Sequence, residues 1–444
     1  MLNKLPSIIQ DKRIVLLGFG MEGQSSFRFF SKNFPKNNFL IADKNPDIRE
    51  HPLLQQADIE ISTGQNYLSS ISDNDFIIKS PGIKLPENCK LNHDSIFSQT
   101  DLFIQAFRKQ IIGVTGTKGK STTSSLLFKI LSDQNKKAIL IGNIGKPALD
   151  YWDKIEDDTF IVFELSAHQL EYTRFSPTYS ILLNLFPEHL DYFKTENNYF
   201  KAKLNIAKFQ SEGEFFFCNQ TELIKEGFSF LKDKIYSSNY TLINDSIKRK
   251  NDYKKLIHID EMLYLKGLHQ LKNCIPILNL TNILGLNEEL TLESIRNFKP
   301  LPHRIEFIGK IKKLQFYNDS ISTIPEASIE ALKSLKKVDY LILGGLDRKL
   351  NYQKLYAFLE KFTLNTIFFI GPAGKRMFDE LANNSKFKKI HIEKLHLFEP
   401  HLENIIQENK NSICLLSPAA ASYDEFKNFE ERGDYFRSLI EKFM

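Results

Sequence analysis

The segment GVTGTKGKSTT at residues 113–123 constrains this chain more than any other. It follows the apolar run IIGV and leads into TTSSLLFKILSDQNK, whose apolar spacing is that of a helix. A strand that turns into a helix through glycines aims backbone N–H groups at an anion beside the helix N-terminus. The segment is therefore expected to be a phosphate loop, with Gly116, Thr117, Lys118, Gly119, Lys120, Ser121 and Thr122 around ATP. Lys120 would reach the β- and γ-phosphates, and Ser121 or Thr122 would hold Mg2+. Val114 stands where the common spacing has glycine, so the loop is a variant in which Gly116 still permits the sharp turn. The alternative is a neutral Gly/Ser/Thr turn, which would gain little from the ordered lysine and hydroxyls.

At 444 residues the chain exceeds what one hydrophobic core usually holds, so two or three domains are expected. RIVLLG at 13–18, a periodic segment and then NFLIADKN read as a βαβ opening, continued by DFIIKSPG. A second α/β unit begins at KQIIGVTG and carries two further candidate strands, TFIVFEL and SILLNL, each closing on polar residues. From about 206 to 299 the pattern is harder to read, with FFFCN and YTLIND among short helical pieces. After Pro300 the runs VDYLILGG, NTIFFIGP and SICLLSP suggest a third, smaller α/β domain. The expected division is 1–104, 105–300 and 301–444.

The formal charge of +5 is small for this length and the lysines are scattered, so no nucleic-acid partner is expected. Cys89, Cys218, Cys274 and Cys414 form no CxxC pair, which argues against a structural zinc site or a disulfide framework. No signal peptide is evident and no apolar run approaches the ~20 residues that span a bilayer. A cytoplasmic protein without a membrane partner is expected.

Other polar groups fall where parallel sheets place their chemistry. Glu164 ends TFIVFEL and His189 lies in NLFPEHLD, so a carboxylate and an imidazole at adjacent strand ends are candidate metal ligands. His189 taken alone would sooner be a structural histidine. Lys203 in YFKAKLNI reads locally as a surface lysine on an amphipathic helix. Gly18, Gly20 and Gly23, with Asp43 about 20 residues further on, satisfy a dinucleotide fingerprint. NAD or FAD, another diphosphate ligand and a plain tight turn all remain open, so a nicotinamide dehydrogenase is the rival chemistry. Arg304 in LPHRIEF, Asp319 in YNDSIST and Arg348 in GGLDRK suit anion or carboxylate binding, and equally suit a surface.

Taken together, GVTGTKGKSTT, GNIGKPAL, FELSAHQL, NLFPEHLD, YFKAK, GLHQLKN, LPHRIEF, NDSIST and SPAAASYDEFKNFEERG resemble the Mur ligase family, most closely its muramoylalanine–glutamate ligases. The resemblance runs from about residue 12 to residue 437. It implies a three-domain α/β architecture: an N-terminal Rossmann-like domain, a central P-loop ATPase domain and a C-terminal Rossmann-like domain. The implied substrates are ATP, UDP-N-acetylmuramoyl-L-alanine and glutamate, acting on a monomer. By motif, Lys120, Asn143, Glu164, His189 and Lys203 would be catalytic, and Ser121, Glu164, His189 and Lys203 would hold Mg2+. Lys203 would be carbamylated by carbon dioxide, against its local reading. Gln270, Arg304 and Asp319 would join the phosphate loop in binding ATP. Gly18, Gly20, Gly23, Asp43, Thr63 and Gly64 would face the UDP-sugar, together with the turn SPGI at 80–83. Thr323, Arg348, Ser422, Tyr423 and Phe429 would bind glutamate.

Three residues depart from the family's motifs. Lys118 and Gln270 replace asparagines, and Glu188 replaces an aspartate before the active-site histidine. DSIST at 319–323, with GMEG, FPEHLD and GGLDR, looks more like the subgroup that adds L-glutamate, while NFEERG is also familiar from D-glutamate enzymes. L-glutamate is the expected substrate, with D-glutamate as the alternative. A non-catalytic ATP-binding protein is the remaining rival.

Overall fold

The computed structural model of the protein describes residues 5, 7–9, 12–55, 59–86, 89, 91–143, 147–220, 222, 224, 227–265, 268–299, 302–335, 337–381 and 386–444. Residues 144–146 of GNIGKPAL, Gly267 of GLHQLKN, and Pro300 and Leu301 at the expected last boundary lie outside that set. The chain divides into two compact units, Met1–Lys299 and Pro300–Met444.

The first unit opens with β1 (Ile14–Leu17), α1 (Met21–Asn33), β2 (Phe39–Asp43), β3 (Glu60–Thr63), β4 (Phe76–Lys79) and β5 (Ile96–Phe97). The strands form a parallel sheet in the order β3-β2-β1-β4-β5. Strand order reverses beside β1, the place where open α/β sheets leave a crevice at their carboxyl ends. β1 is apolar, β4 is apolar up to its last residue Lys79, and both are buried along their length, as strands covered on both faces must be.

After α2 (Gln99–Phe107) come β6 (Ile111–Thr115), α3 (Lys120–Asp133), β7 (Ala138–Gly142), β8 (Phe160–Glu164) and α4 (Ala167–Leu170). β9 (Tyr179–Leu182), α5 (Leu190–Phe193), α6 (Glu196–Lys208) and β10 (Phe215–Cys218) follow. The second parallel sheet runs β10-β9-β6-β8-β7, so β6 lies between β8 and β9. The carboxyl ends of these three strands therefore share one rim. Trp152, the only tryptophan in the sequence and 1% exposed, packs against Phe29 of α1 and Phe103 and Phe107 of α2. These rings belong to one apolar cluster that fills the space between the two sheets. The segment that was hard to read resolves into a small antiparallel sheet, β11 (Tyr240–Ile243), β12 (Ser246–Arg249) and β13 (Lys255–His258), followed by the helices Leu268–Ile283 and Glu288–Asn297.

The second unit holds β14 (Glu306–Ile311), β15 (Leu314–Asn318), β16 (Tyr340–Gly344), β17 (Thr366–Ile370), β18 (Lys388–Ile392) and β19 (Ser412–Leu416). Its sheet runs β14-β15-β19-β16-β17-β18, with only β14 antiparallel to its neighbour. The three apolar runs expected there are β16, β17 and β19. The α/β class and its parallel sheets thus stand as expected. No helix among the described residues is long and apolar enough to cross a membrane.

Candidate active site

Between β6 and α3 the chain makes the turn that its glycines demand. Gly116 has φ +158° and Gly119, at the N-cap of α3, has φ +87°, a left-handed conformation that costs an L side chain about 1 kcal/mol or more. A Cβ on Gly119 would lie 2.6 Å from Asn273 Nδ2, so the helix Leu268–Ile283 packs its first turns against the loop. Gln270 begins that same helix and is half-buried. Lys120 Nζ folds back to donate to the carbonyls of Gly116 (2.9 Å) and Thr117 (3.0 Å), and Ser121 is buried at the start of α3. Thr117 Oγ1 bridges to the backbone of Phe186 on the segment after β9.

Glu164, at the end of β8, is completely buried. Its Oε1 accepts a 2.9 Å hydrogen bond from Asn143 Nδ2, while its buried Oε2 has no partner among the described residues. A buried carboxylate oxygen left unpaired carries a desolvation cost that a bound cation would offset. His189 stands in the left-handed region, φ +54°, as the N-cap of α5, with its ring 5.0 Å from that of His168 and 5.9 Å from that of Tyr199. Together Lys120, Asn143, His168, His189, Tyr199 and Lys203, with Pro81 and Gly82 from the turn after β4, line a cavity of about 410 Å³.

The local expectation for Lys203 is corrected here. α6 turns this residue inward, where it is 1% exposed and Nζ donates to the Gly116 carbonyl at 2.9 Å. Burial, reinforced by the nearby Lys120 ammonium, holds its pKa well below the ordinary lysine value. Helical spacing in YFKAKLNI did not reveal this, because α6 has its buried face against the phosphate loop rather than against apolar core alone.

The glycine turn after β1 is built for close approach. A Cβ on Gly23 would fall 2.0 Å from the Gly18 carbonyl oxygen, whereas one on Gly20 would meet nothing within 4 Å. Asp43 accepts the Phe19 N–H (2.7 Å) and the Asn45 N–H (2.8 Å), one on each oxygen, so its carboxylate braces this turn. Thr63 ends β3 beside Gly64, and Thr63 Oγ1 accepts from Arg49 Nε at 3.2 Å. Ser80, opening the SPGI turn, donates through Oγ to the Gly18 carbonyl at 3.0 Å.

In the second unit, Asp319 is buried, and it accepts the Ile305 N–H (3.1 Å) and the Ser417 hydroxyl (2.7 Å). Burial pushes its pKa up to about 6. Arg304 is half-buried near this carboxylate. Buried Arg432 reaches Ser320 Oγ (3.0 Å), the Ser320 carbonyl (2.9 Å) and the Ala420 carbonyl (3.1 Å), which ties the DSIST turn to the SPAAAS loop. Thr323 follows that turn, Ser422 is buried in the loop, Tyr423 is exposed, and the Phe429 carbonyl accepts the Ser320 hydroxyl at 2.8 Å. Arg348 is exposed in a loop whose neighbour Asp347 is gripped by Arg376 through two hydrogen bonds of 2.8 and 2.9 Å.

Several contributors were missed by sequence reasoning. Asn184 clamps both sides of the Lys118 peptide, Asn273 meets the phosphate loop, and His168 and Tyr199 line the cavity. His168 and Asn184 lie inside motifs already singled out, FELSAHQL and NLFPEHLD, which was their available signal. Among the described residues no cluster of three or more His, Cys, Asp or Glu side chains is arranged to hold a metal ion.

Residues 114–273 match the family described as the Mur ligase middle domain. Over nearly its whole length the chain is similar to proteins named UDP-N-acetylmuramoylalanine--D-glutamate ligase. That of Koribacter versatilis is 29% identical over 98% of this chain and 98% of its own. That of Clostridium kluyveri is 29% identical over 97% of each. Among solved structures, MurF from Acinetobacter baumannii shares the fold at a TM-score of 0.50 and 14% identity, covering 98% of this chain and 93% of its own. These findings support the Mur ligase family expected from the motifs. The names of these relatives give D-glutamate, the alternative, rather than L-glutamate.

Proposed function

We propose that this chain is a Mur ligase that uses ATP to join D-glutamate to the carboxylate of UDP-N-acetylmuramoyl-L-alanine, a step of peptidoglycan precursor synthesis. The observation that carries the proposal is the cavity shared by Lys120, Asn143, His189 and Lys203, with the phosphate loop on one side and Pro81–Gly82 of the first sheet on the other. Such a cavity lets a nucleotide held by the second sheet meet a substrate held by the first. The full-length relatives' names favour D-glutamate over the L-glutamate expected from DSIST.

A carboxylate is a poor electrophile, so its oxygen first attacks the γ-phosphorus of ATP and ADP leaves. Lys120, released from the Gly116 and Thr117 carbonyls, neutralises charge on the transferring group. The glutamate amine then attacks the acyl carbon, the amide forms and phosphate departs. Enclosure of the cavity excludes water that would hydrolyse the acyl phosphate. Ser121, Glu164, His189 and Lys203 are the residues to hold Mg2+, and the unpartnered Glu164 Oε2 fits a cation. When bound, the ion offsets triphosphate charge. Burial lowers the pKa of Lys203, which favours the neutral amine that captures carbon dioxide; the carbamate would release one proton and supply an anionic oxygen ligand.

The glycines at 18, 20 and 23, with Asp43, Thr63 and Gly64, take the UDP-sugar. Gln270 joins the phosphate loop in binding ATP, and Arg304 and Asp319 are proposed as ATP-binding residues from their motifs alone. Thr323, Arg348, Ser422, Tyr423 and Phe429 receive glutamate, with Arg348 as a bidentate clamp on a carboxylate. The protein acts as a cytoplasmic monomer of three domains, 1–104, 105–300 and 301–444. The test is isotope transfer: with ¹⁸O in the alanyl carboxylate, one label should appear in the released phosphate. Amide formation with unlabelled phosphate refutes the acyl phosphate route, and absence of ATP-dependent amide refutes the ligase.

A further inference from the structure

The phosphate loop carries a second lysine whose placement the ligation chemistry above leaves unused. Lys118 sits at the crest, between the positive-φ residues Gly116 and Gly119. Its N–H donates to Asn184 Oδ1 at 2.8 Å and its carbonyl accepts from Asn184 Nδ2 at 2.9 Å. The peptide is therefore fixed by Asn184. The Lys118 side chain makes an ion pair of 2.6 Å between Nζ and Glu188, with the lysine side chain 45% and the glutamate 21% exposed. These are two of the three positions at which the chain departs from the motifs it resembles, and here they face each other.

Glu188 immediately precedes His189, which lines the cavity. The ion pair thus ties the loop crest to the rim where the transferable phosphate must meet its acceptor. Lys120 Nζ is on the Gly116 and Thr117 carbonyls, whereas Lys118 Nζ is on Glu188.

We propose that Glu188 is a positioning residue that holds the Lys118 ammonium over the loop mouth, so that Lys118 contacts the terminal phosphate of bound ATP. The proposal rests on the ATP-dependent ligase reading. A half-exposed lysine loses side-chain freedom when it is fixed. Having Glu188 order it beforehand lowers that cost at the moment of binding. The competing view is an ordinary surface ion pair, a class that contributes little on average. The two differ in whether the pair distinguishes a triphosphate from a diphosphate.

The experiment measures binding of ADP and of a non-hydrolysable ATP analogue, each with Mg2+, to the full-length protein and to Lys118→Met, Glu188→Gln and the double variant. Trp152 fluorescence and thermal melting verify that each variant is folded. Each single variant is expected to weaken the triphosphate analogue about tenfold, as coupled neighbours do, and ADP less than about twofold. The double variant should be no weaker than the worse single one. Unchanged analogue binding, equal losses for both nucleotides, or a double variant showing the product of the single effects overturns the proposal while leaving the ligase reading intact. A wild-type protein that binds neither nucleotide overturns both.

Discussion

Replacing Lys203 separates its chemical role from its packing. The side chain is 1% exposed, and its ammonium form is disfavoured by burial and by Lys120. Lys203→Ala removes three methylenes beyond Cβ, worth about 0.8 kcal/mol each, or about 2.4 kcal/mol of lost burial, together with the donor to the Gly116 carbonyl. That carbonyl keeps Lys120 as a partner at 2.9 Å, so the hydrogen-bond term is small. Lys203→Met restores most of the volume without an amine, and its stability should lie within about 1 kcal/mol of wild type. Urea unfolding followed at Trp152 should rank the proteins wild type, methionine and then alanine. If the residue supplies an anionic ligand, both variants should lose about 100-fold or more in phosphate release, a typical loss for an electrostatic catalytic group. Only the alanine variant leaves room for partial rescue by added formate or acetate. Full activity in Lys203→Met refutes the reasoning. Activity that follows stability across the three proteins would also refute it, because packing would then explain everything.

Further outcomes follow from the same geometry. Gly23→Ala forces a Cβ to within 2.0 Å of the Gly18 carbonyl and should destabilise the first unit by about 3 kcal/mol in urea unfolding. Gly20→Ala meets open space, so it should leave stability within about 0.5 kcal/mol and instead raise the KM for the UDP-sugar. Lys79 is 2% exposed behind the SPGI turn, near Glu22 and Glu171, and burial lowers its pKa to about 8. Between about pH 8 and 10.5 the unfolded chain holds this proton and the folded one does not, so stability rises with pH in that window. Relative to Lys79→Met, the wild-type protein should gain about 1 kcal/mol between pH 7 and 9, read by urea unfolding at each pH. A difference that stays flat or falls would show that Lys79 is not held in this way.

The elements that build the site were readable because short apolar runs in a parallel sheet declare themselves. IIGV, TFIVFEL and SILLNL each end on the rim where Thr115, Glu164 and the Asn184–His189 segment meet. Residues fixed by backbone turns were readable too, as Gly116 and Gly119 show. What remained hidden depends on contacts between distant parts of the chain. Lys203 looks like a surface residue until α6 is laid against the loop, and Asn184 gives no sign that it clamps residue 118. The Lys118–Glu188 pair joins two separate motifs, 70 positions apart by residue number. The region after β10 resisted reading because β11, β12 and β13 are strands of four residues, each with only partial burial. The enantiomer was not legible for another reason, since chirality depends on the directions of three attachment points and spacing along a chain does not encode directions.

The most direct test is a parallel assay of phosphate release by the purified full-length protein, with ATP, Mg2+ and UDP-N-acetylmuramoyl-L-alanine, in the presence of D-glutamate or L-glutamate. D-glutamate at low concentration should drive phosphate release and amide formation together, with L-glutamate near the background seen without amino acid. Turnover with L-glutamate alone, or phosphate release indifferent to both amino acid and UDP-sugar, would contradict it.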